Sequence, residues 1–596
     1  MKKKYVRWTL WTIASPFILF IILCILIYLP PIQNFLVDKA AVYASEATGM
    51  NISVGRISLS FPLNLVVTDV DAASPHNDTL LSVRRLQVNV QLLPLLKKQV
   101  EVDGISLQGA TVNSNDLIHG MKLNGTLGEL FISSHGVALD PETAIVNKVL
   151  LKDTDLSLCL NDTAAADTAA SDTTYWKIIL QDIDLQNVSF ALDMPLDSLS
   201  LAASLDNAIL RDGLIDLHKS AYSLQTFRIK NGRVCYDSGK PLAADSLPSG
   251  LDPSHIALTD IGVKLDSLYY GGRNMKAIIS QFVLKERSGV EIVSATGRMV
   301  SNDKVLRVPS LKLETRDSYL ELNAAMDWNA LDFKDEGLVS ARLMADIGKP
   351  DVVRFMGSMD EKFIRQYPSE PLRIRTGIDG DLNKLKLTTL TAELPGALGL
   401  FARGELTHLT DSLLRGGDIT LEAETKDLKF VSTLAEGIEI PYGTRLEGKF
   451  TMAGTKMGTD LLLMQPEAQA VVAADTIPIT VYNDSISVAD DFKMERAARL
   501  FAKYDLSRDR YEADLAVNHF DLHQFMPADS LYTLSTRLKV EGEGFDFFSP
   551  RTYFNAEGGI DRFHYGSYHL TGISLAAGLE KSKVHASLAV KNWTMD

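Results

Sequence analysis

The chain opens with one long apolar segment and then changes to a two-residue alternation of apolar and polar positions. The segment from Trp8 to Leu29 contains no charged residue. At about 1.5 Å per residue, a helix of this length reaches roughly 33 Å, enough to cross the ~30 Å hydrocarbon core of a bilayer. Because the basic residues around it lie only on the N-terminal side, the positive-inside rule predicts a single-pass anchor with a cytoplasmic N-terminus. The predicted anchor positions are Trp8, Trp11, Phe17, Phe20, Tyr28 and Leu29.

Two other interpretations of this opening fit less well. A cleaved signal peptide has a shorter apolar core and a small-x-small cleavage site, whereas this core runs into Pro30 and Pro31. A lipoprotein signal ending at Cys24 would need small residues before the cysteine, and residues 21–23 are Ile-Ile-Leu. The pattern favours an uncleaved anchor.

Helical spacing returns once before the alternation begins. Apolar residues of Gln33–Thr48 predict a short amphipathic helix, with Gly49 at the position of a C-terminal cap. From Asn51 onward the period is two, which is typical of strands with one dry face and one wet face. The clearest alternating run consists of Leu86, Val88, Val90 and Leu92 with polar residues between them.

A looser pattern recurs four times between residues 105 and 234. Each copy has two alternating apolar residues, then Gly, Asp or Asn, and an apolar residue three positions later. The four central residues are Gly109, Asp153, Asn187 and Asn231. Because these residue types tolerate a left-handed or bulged backbone, each copy predicts a strand that kinks and continues.

The second half carries glycine-centred strands and two candidate helices. Gly377, Gly448 and Gly542 each follow an alternating run, which predicts a bend or a close backbone approach. Helices are predicted over Asp351–Tyr367, with Asp351 as N-cap, and over Asp491–Lys503. Turn-forming residues predict loops over 161–174 and 238–255.

These elements predict a mainly β protein: a transmembrane helix, then an elongated, curled antiparallel β-sheet with a few short helices. Such strands must cover their apolar face, either with a second sheet, as in a sandwich, or by curling into an open β-groove. The predicted divisions are residues 1–30 (tip and anchor), 31–50 (amphipathic helix), 51–350 (first groove segment with the repeats) and 351–596 (second segment). Alternation continues to the last residues, so we expect the sheet to continue beyond residue 596.

Composition narrows the possible functions. The 596 residues carry a net charge of −15, and the only tight basic cluster is at the N-terminus, so nucleic acid is not an expected partner. Outside the anchor the only cysteines are Cys159 and Cys235, which are more easily explained as isolated thiols than as a disulfide. No catalytic, nucleotide-binding or zinc-binding motif is present. The sequence predicts no enzyme, metal or cofactor.

Several of these segments, in this order, resemble AsmA-like proteins, in particular the TamB branch. The anchor, the helix ending at Gly49 and the segment 51–62 (NISVGRISLSFP) are similar to the beginning of these proteins. The segment 311–320 (LKLETRDSYL) resembles the strand-turn-strand phrase repeated through the family. The resemblance implies an inner-membrane protein with its bulk in the periplasm and an apolar β-groove, similar to the chorein-type bridge proteins that transfer lipid.

The resemblance also implies partners: the inner membrane, membrane phospholipids and an outer-membrane BamA-like barrel. TamB-like chains meet that barrel through a distinctive C-terminal domain, which is not found in this sequence. We therefore expect the primary function to be conduction of phospholipid between the inner and outer membranes. The alternative is a scaffold that assists assembly of outer-membrane β-barrel proteins by strand addition.

Two sets of candidate residues follow. The residues expected to line a lipid groove, with ordinary sandwich core as the alternative, are Leu86, Val88, Val90, Leu92, Leu107, Leu185 and Ile229. The Asp-Thr triplets around Thr163, Thr168 and Thr173 resemble an O-glycosylation sequon of some periplasmic proteins, with a solvated loop as the alternative.

Overall fold

A computed structural model gives the fold of the chain. It describes residues 39, 41, 42, 45, 50–60, 64–74, 79–90, 102–114, 120–138, 142–161, 175–239, 250–334, 337–357, 359–434, 437–466, 496–546, 548–581 and 583–595. The structure is mainly β, as the alternation predicts, and it forms two compact units, Met1–Val300 and Ser301–Asp596.

The predicted membrane anchor, residues 8–29, lies outside the described residues. Within the described part of the chain, no helix combines the length and apolarity needed to cross a bilayer. Four described residues of the predicted amphipathic helix, Lys39, Ala41, Val42 and Ser45, are helical.

In its described residues, the first unit contains thirteen strands and a short 3-10 helix, Pro195–Asp197. The strands are β1 Asn51–Ser60, β2 Asn64–Ala73, β3 Thr79–Val90, β4 Val102–Asn113, β5 Met121–Ala138, β6 Thr143–Leu160, β7 Lys177–Met194, β8 Leu199–Asp216, β9 Ala221–Leu224, β10 Thr226–Ser238, β11 His255–Gly271, β12 Asn274–Glu286 and β13 Glu291–Ser301. β9 and β10 pair with the same two neighbours in one register, so they act as a single strand interrupted at Gln225.

The prediction of an antiparallel sheet is wrong at one place. β6 and β7 are parallel, with Thr143 opposite Lys177 and Cys159 opposite Asp193. A parallel pair needs a crossover connection, which a short turn cannot provide. The sequence between the two strands includes residues 162–174, which lie outside the described part. The pairings from β1 to β6 and from β7 to β12 are antiparallel.

The predicted kinks are confirmed at all four repeat positions. Gly109, Asp153, Asn187 and Asn231 have φ of 61°, 50°, 52° and 55° in the middle of long strands. The regular pairing is interrupted where these residues lie, and the interruptions adjoin from strand to strand. They form a line across the sheet, which we call the crease: Gly55, Asp69, Arg84, Gly109, Gly128, Asp153, Asn187, Asp206, Asn231 and Asp260.

The part of the second unit that the structure describes is a meander of fifteen strands, each pairing antiparallel with the next. They are β14 Val305–Thr315, β15 Tyr319–Asp327, β16 Leu338–Ile347, β17 Leu372–Asp381, β18 Lys384–Leu394, β19 Leu398–Thr407, β20 Gly416–Thr425, β21 Arg445–Ala453, β22 Lys456–Gln465, β23 Arg496–Asp505, β24 Arg510–Asp521, β25 Leu531–Glu543, β26 Tyr553–Tyr565, β27 Tyr568–Glu580 and β28 Lys583–Met595. Short helices are α1 Trp328–Leu331, α2 Lys349–Met356, α3 Glu361–Gln366 and the 3-10 helices Lys429–Thr433 and Leu522–Gln524.

The second unit also holds a small aromatic core at one end of its strands. Phe363 of α3, Tyr367 and Phe430 pack with ring centroids 5.2 to 5.6 Å apart. Leu394, Ala397 and Leu428 complete the cluster. Burial there raises the pKa of Tyr367. This core is local, because it lies beside the ends of the strands where the helices are inserted.

Both helix predictions need correction. The segment Asp351–Tyr367 forms two helices, because Gly357 adopts a φ of 75° after α2. Asp351 is not the N-cap; Gly348 is, and Asp351 is buried inside the first turn. The described part of Asp491–Lys503 belongs to β23, where pairing with β22 and β24 outweighs the local helical spacing.

Candidate functional site

The most extensive feature of the first unit is a continuous apolar row that crosses eleven strands, counting β9 and β10 as one. Directly paired residues carry it from strand to strand. Its members are Ile57, Val67, Leu86, Leu107, Leu130, Leu151, Leu185, Ala208, Ile229, Val263 and Phe282. At about 4.8 Å between strands, the row runs on the order of 50 Å along the sheet.

A second apolar row lies two residues away on the same face. It consists of Leu59, Leu65, Val88, Ile105, Ile132, Val149, Ile183, Leu210, Phe227, Leu265 and Ile279. The row between the first apolar row and the crease, offset by one residue, is polar throughout: Arg56, Thr68, Arg85, Gln108, Glu129, Lys152, Gln186, Asn207 and Lys230. Because successive side chains point to opposite faces, both apolar rows lie on one face of the sheet and this polar row lies on the other, which we call the polar face.

The crease keeps the apolar residues on one face. A Cβ built on Gly232, just past Asn231, would lie 3.2 Å from Cγ2 of Ile229, which is three residues earlier. Positions three apart across the crease therefore point to the same side, whereas positions two apart do so elsewhere in a strand. This explains why the sequence repeat changes from a spacing of two to a spacing of three at the turn-forming residue.

The second unit also has two apolar rows on one face, and they cross all fifteen of its described strands. One row contains Leu313, Leu320, Ala345, Ile374, Ala392, Leu400, Ala423, Leu446, Leu463, Ala498, Val517, Thr536, Ile560, Ile573 and Val590. The next row on the same face contains Leu311, Leu322, Leu343, Thr376, Leu390, Ala402, Leu421, Gly448, Leu461, Leu500, Leu515, Leu538, Gly558, Leu575 and Leu588. Thr536 and Thr376 are the only polar members.

Glycine occurs in these rows where neighbouring leucines converge. A Cβ on Gly448 would lie 3.0 Å from Cδ2 of Leu461, and one on Gly558 would lie 3.1 Å from Cδ1 of Leu538. At Gly448 the nearest atoms are side-chain carbons, so the predicted close approach of another backbone is not found there. It is found at Gly542, where a Cβ would lie 2.7 Å from the main-chain oxygen of Tyr553. At Gly448 and Gly558 the glycine leaves room for the side chains of the leucines beside it.

Burial shows how these faces are covered. In the first unit, Ala208 is the only row member that is fully buried, and in the second unit only Ala345, Ala402 and Ile573 are. The larger side chains of the first unit's rows are half-buried. The inner face of a sandwich would bury them, since side chains of the two sheets interdigitate. Half-burial is the exposure expected of an apolar face that no second layer covers within the described part of the chain.

The polar face is bound together by ion pairs. Arg211 donates to the main-chain oxygens of Ile183 and Leu210 at 3.1 and 3.2 Å and contacts Asp184 at 2.9 Å. In the second unit Arg375 makes the same three kinds of contact, with Ala345, Ile374 and Asp346. Hydrogen bonds from Arg499 lower the pKa of Asp460. The polar face therefore carries structural charges.

The structure places the predicted lining residues together. Leu86, Leu107, Leu185 and Ile229 are members of one row, and Val88 belongs to the next. Val90 is two residues further along β3, opposite Val102. Leu92, the six anchor positions and the three candidate glycosylation threonines lie outside the described residues.

Sequence reasoning did not find the row of the second unit, although its leucines alternate there as well. Cross-strand neighbours are set by long-range register, which no single strand reveals. Cys159 and Cys235, the candidate disulfide pair, are free thiols. Within the described ranges, no group of His, Cys, Asp and Glu side chains is arranged to hold a metal ion.

No protein-family model matches the chain, and a comparison with curated proteins finds no match. The function is therefore inferred from the two faces of the sheet.

Proposed function

We propose that the chain is an inner-membrane-anchored periplasmic protein that conducts phospholipids between the inner and outer membranes. The observation that supports this most is the pair of half-buried apolar rows in each unit. They would hold acyl chains while the phosphate-bearing headgroups stay in water at the strand ends. Residues 8–29 would provide the anchor in the inner membrane.

The energetics of acyl-chain transfer favour such a face. Removing one CH₂ group from water is worth about 0.8 kcal/mol, so a lipid tail that moves from the bilayer to an apolar face loses little of its hydrophobic stabilisation. The row is uniform from strand to strand, so neighbouring positions on it offer similar surfaces. Lipid would then move along the face under a gradient or the action of a partner.

A test places charge on the apolar face and compares it with the same charge on the opposite face. Val88 and Ile105 are directly paired on the apolar face, and Gln87 and Ser106 are directly paired beside them. The variant Val88→Asp/Ile105→Asp adds two carboxylates to the apolar face. The control Gln87→Asp/Ser106→Asp adds two to the other face of the same strands, so both variants carry the same repulsion between paired aspartates.

Native mass spectrometry of the detergent-extracted chain measures bound phospholipid. We expect several phospholipids per copy in the unaltered protein and in the control, and fewer in the apolar-face variant, with unchanged circular dichroism in all three. Equal phospholipid in both variants would refute the proposal.

The scaffold alternative has one supporting observation. In the described part of the chain β28 pairs with β27 alone, and all thirteen of its residues are exposed. A client strand could add there through main-chain hydrogen bonds. This alternative predicts cross-links from β28 to outer-membrane barrel proteins, and indifference to charge at Val88 and Ile105.

A further inference from the structure

Exposed apolar residues lie on the tips of neighbouring hairpins at one end of the second unit's strands. Leu413 and Leu414 lie in the loop between β19 and β20, Leu506 in the loop between β23 and β24, and Phe548 in the loop between β25 and β26. Leu413 is 76% exposed and Phe548 is 92% exposed. Because hairpin loops are ordinarily polar, large apolar side chains this exposed on three of them indicate a surface that contacts something apolar.

These loops lie side by side, because main-chain hydrogen bonds join each loop to the next. Gly454, in the turn between β21 and β22, donates its N–H to the oxygen of Arg415 at 2.6 Å. The N–H of Leu506 donates to the oxygen of Thr455 at 2.9 Å, and that of Gly544 donates to the β23–β24 loop at 3.0 Å. At about 4.8 Å per strand, the strands from β19 to β26 place the tips along an edge on the order of 30 Å long. We call it the hairpin edge, and it consists of residues 408–415, 454–455, 506–509, 544–546 and 548–552.

Carboxylates fix the conformation of two of these loops. Asp411 accepts hydrogen bonds from the N–H groups of Leu413 and Leu414 at 2.8 and 3.2 Å. Asp546 accepts a hydrogen bond from the N–H of Phe548 at 3.0 Å. Such bonds from main chain to side chain stabilise a turn. They hold the apolar residues in their exposed positions before any partner binds, which lowers the entropic cost of docking.

The hairpin edge is continuous with the apolar face of the sheet. Met457, Tyr504 and Tyr511 are directly paired, and each is four residues from a leucine of an apolar row on the same strand. Because positions an even number apart in a regular strand share a face, these three side chains lie on the apolar face. Phe545 of the hairpin edge, which is 61% exposed, stacks on Tyr511 with ring centroids 5.0 Å apart. Apolar surface therefore leads from the face to the tips.

A lipid bilayer fits this arrangement better than a protein partner does. The buried centre of a protein interface is a contiguous apolar patch. On the hairpin edge the apolar tips are separated by polar residues, since Thr455 lies between two of the tips and Arg508 follows Leu506 closely. Separate Leu and Phe side chains can each enter the acyl boundary of a bilayer to a depth of roughly 5–10 Å, while a neighbouring Arg stays at the level of the headgroups.

We propose that Leu413, Leu414, Leu506 and Phe548 insert into the interface of a phospholipid bilayer, so that the hairpin edge docks the second unit on a membrane. This inference goes beyond the proposed function, because such a contact would serve the scaffold alternative equally. If phospholipid does occupy the apolar face, a bilayer at the hairpin edge is placed to exchange lipid with it.

The test follows single positions of the full-length chain reconstituted in vesicles of phosphatidylethanolamine and phosphatidylglycerol. Dansylalanine, whose emission reports the polarity around it, replaces Leu413 or Phe548. Vesicles that also contain phospholipid with a nitroxide on the acyl chain quench a dansyl group that reaches the acyl region. The controls place dansylalanine at Phe355 and Leu434, which are 56% and 55% exposed at the opposite strand ends. A further position, Leu461, lies on the apolar face.

We expect blue-shifted emission at positions 413 and 548, and nitroxide quenching there at least threefold stronger than at 355 and 434. Quenching at the tips no stronger than at 355 and 434 would overturn the docking of the hairpin edge. If position 461 were quenched in that same experiment, the proposed lipid contact of the apolar face would still stand. A blue shift at the tips without quenching would show that protein covers them, such as a second copy of the chain, and would also overturn the bilayer contact.

Discussion

At the scale of single residues, the crease is the feature that the sequence predicts best. Six of its ten residues have positive φ, and four of those six are the repeat positions Gly109, Asp153, Asn187 and Asn231. Asn and Asp tolerate the left-handed region better than other side chains do, which is why the pattern could be read before the structure was known. Asp69 and Asp260, the other two, stand outside the repeat and were not predicted.

Asp69 offers a direct test of this conformation, because it is exposed and has a φ of 54°. Asp69→Val should destabilise the first unit by about 1–2 kcal/mol, since a β-branched side chain is strained in the left-handed region. Asp69→Gly should stay within about 0.5 kcal/mol of the unaltered chain. Hydrogen exchange of β2 peptides measures the loss of stability in each variant. Equal protection in the two variants would contradict the left-handed conformation of Asp69 in the crease.

Asp505, the last residue of β23, has a carboxyl with a lowered pKa. Hydrogen bonds from the side chain and main chain of Ser507, and then from Thr455, lower the pKa of Asp505 from 3.8 to about 2. The ionised form is the one that the native hairpin favours, so its contribution to stability is complete above about pH 4 and is lost as the pH falls through 2.

An NMR titration of the Asp505 carboxyl should therefore give a midpoint near 2. Ser507→Ala should raise that midpoint towards 3.8, because it removes the hydroxyl donor. An unaltered midpoint in Ser507→Ala would show that the hydroxyl does not bind the carboxylate.

At the scale of elements, local patterns predict strands well and short helices poorly. The segment 311–320 forms the strand, turn and strand that its pattern indicates, with β14 ending at Thr315 and β15 beginning at Tyr319. The predicted helix Asp491–Lys503 overlaps β23, which is a strand. Its strand conformation depends on two neighbouring strands, and no local signal reports their presence.

The junction of α2 with the β14–β15 turn shows another contribution of long-range contacts. Asp351 is 1% exposed and accepts hydrogen bonds from Thr315, from Ser318 at 2.6 Å and from Arg354 at 3.0 Å. The sequence indicates Asp351 as a helix cap, but two of its three partners, Thr315 and Ser318, lie more than thirty residues away. The carboxylate joins the helix to the sheet.

Removing this carboxylate should be costly. Asp351→Ala removes the carboxylate that accepts from the hydroxyls of Thr315 and Ser318 and leaves the Arg354 guanidinium with Asp317 as its carboxylate partner. We therefore expect a loss of about 2–4 kcal/mol in the free energy of unfolding. The control is Glu361→Ala in α3, whose pair with Arg365 is exposed and should be worth less than about 0.5 kcal/mol. Urea unfolding followed by circular dichroism compares them, and similar losses would contradict the structural role of Asp351.

At the scale of the whole molecule, the class of fold could be predicted, and the site only in part. Alternation shows that each strand has an apolar side, and four of the residues proposed to line a groove, Leu86, Leu107, Leu185 and Ile229, lie in one row. The register that joins them into one row is a property of strand pairs. The parallel pair β6–β7 could not be predicted, because alternation is the same for both pairing directions.

The central claim is that acyl chains contact one face of the sheet, and β22 allows a closely matched test of it. Leu461, Leu462 and Leu463 are consecutive, identical in chemistry and half-buried, but Leu462 faces the polar side, opposite Glu447 and Arg499. A photoreactive benzoylphenylalanine is placed at each position in turn, and phospholipid adducts are measured by mass spectrometry after irradiation in the cell envelope. We predict abundant phospholipid adducts at 461 and 463 and several-fold fewer at 462; equal yields at all three positions, or none at any, would contradict the account.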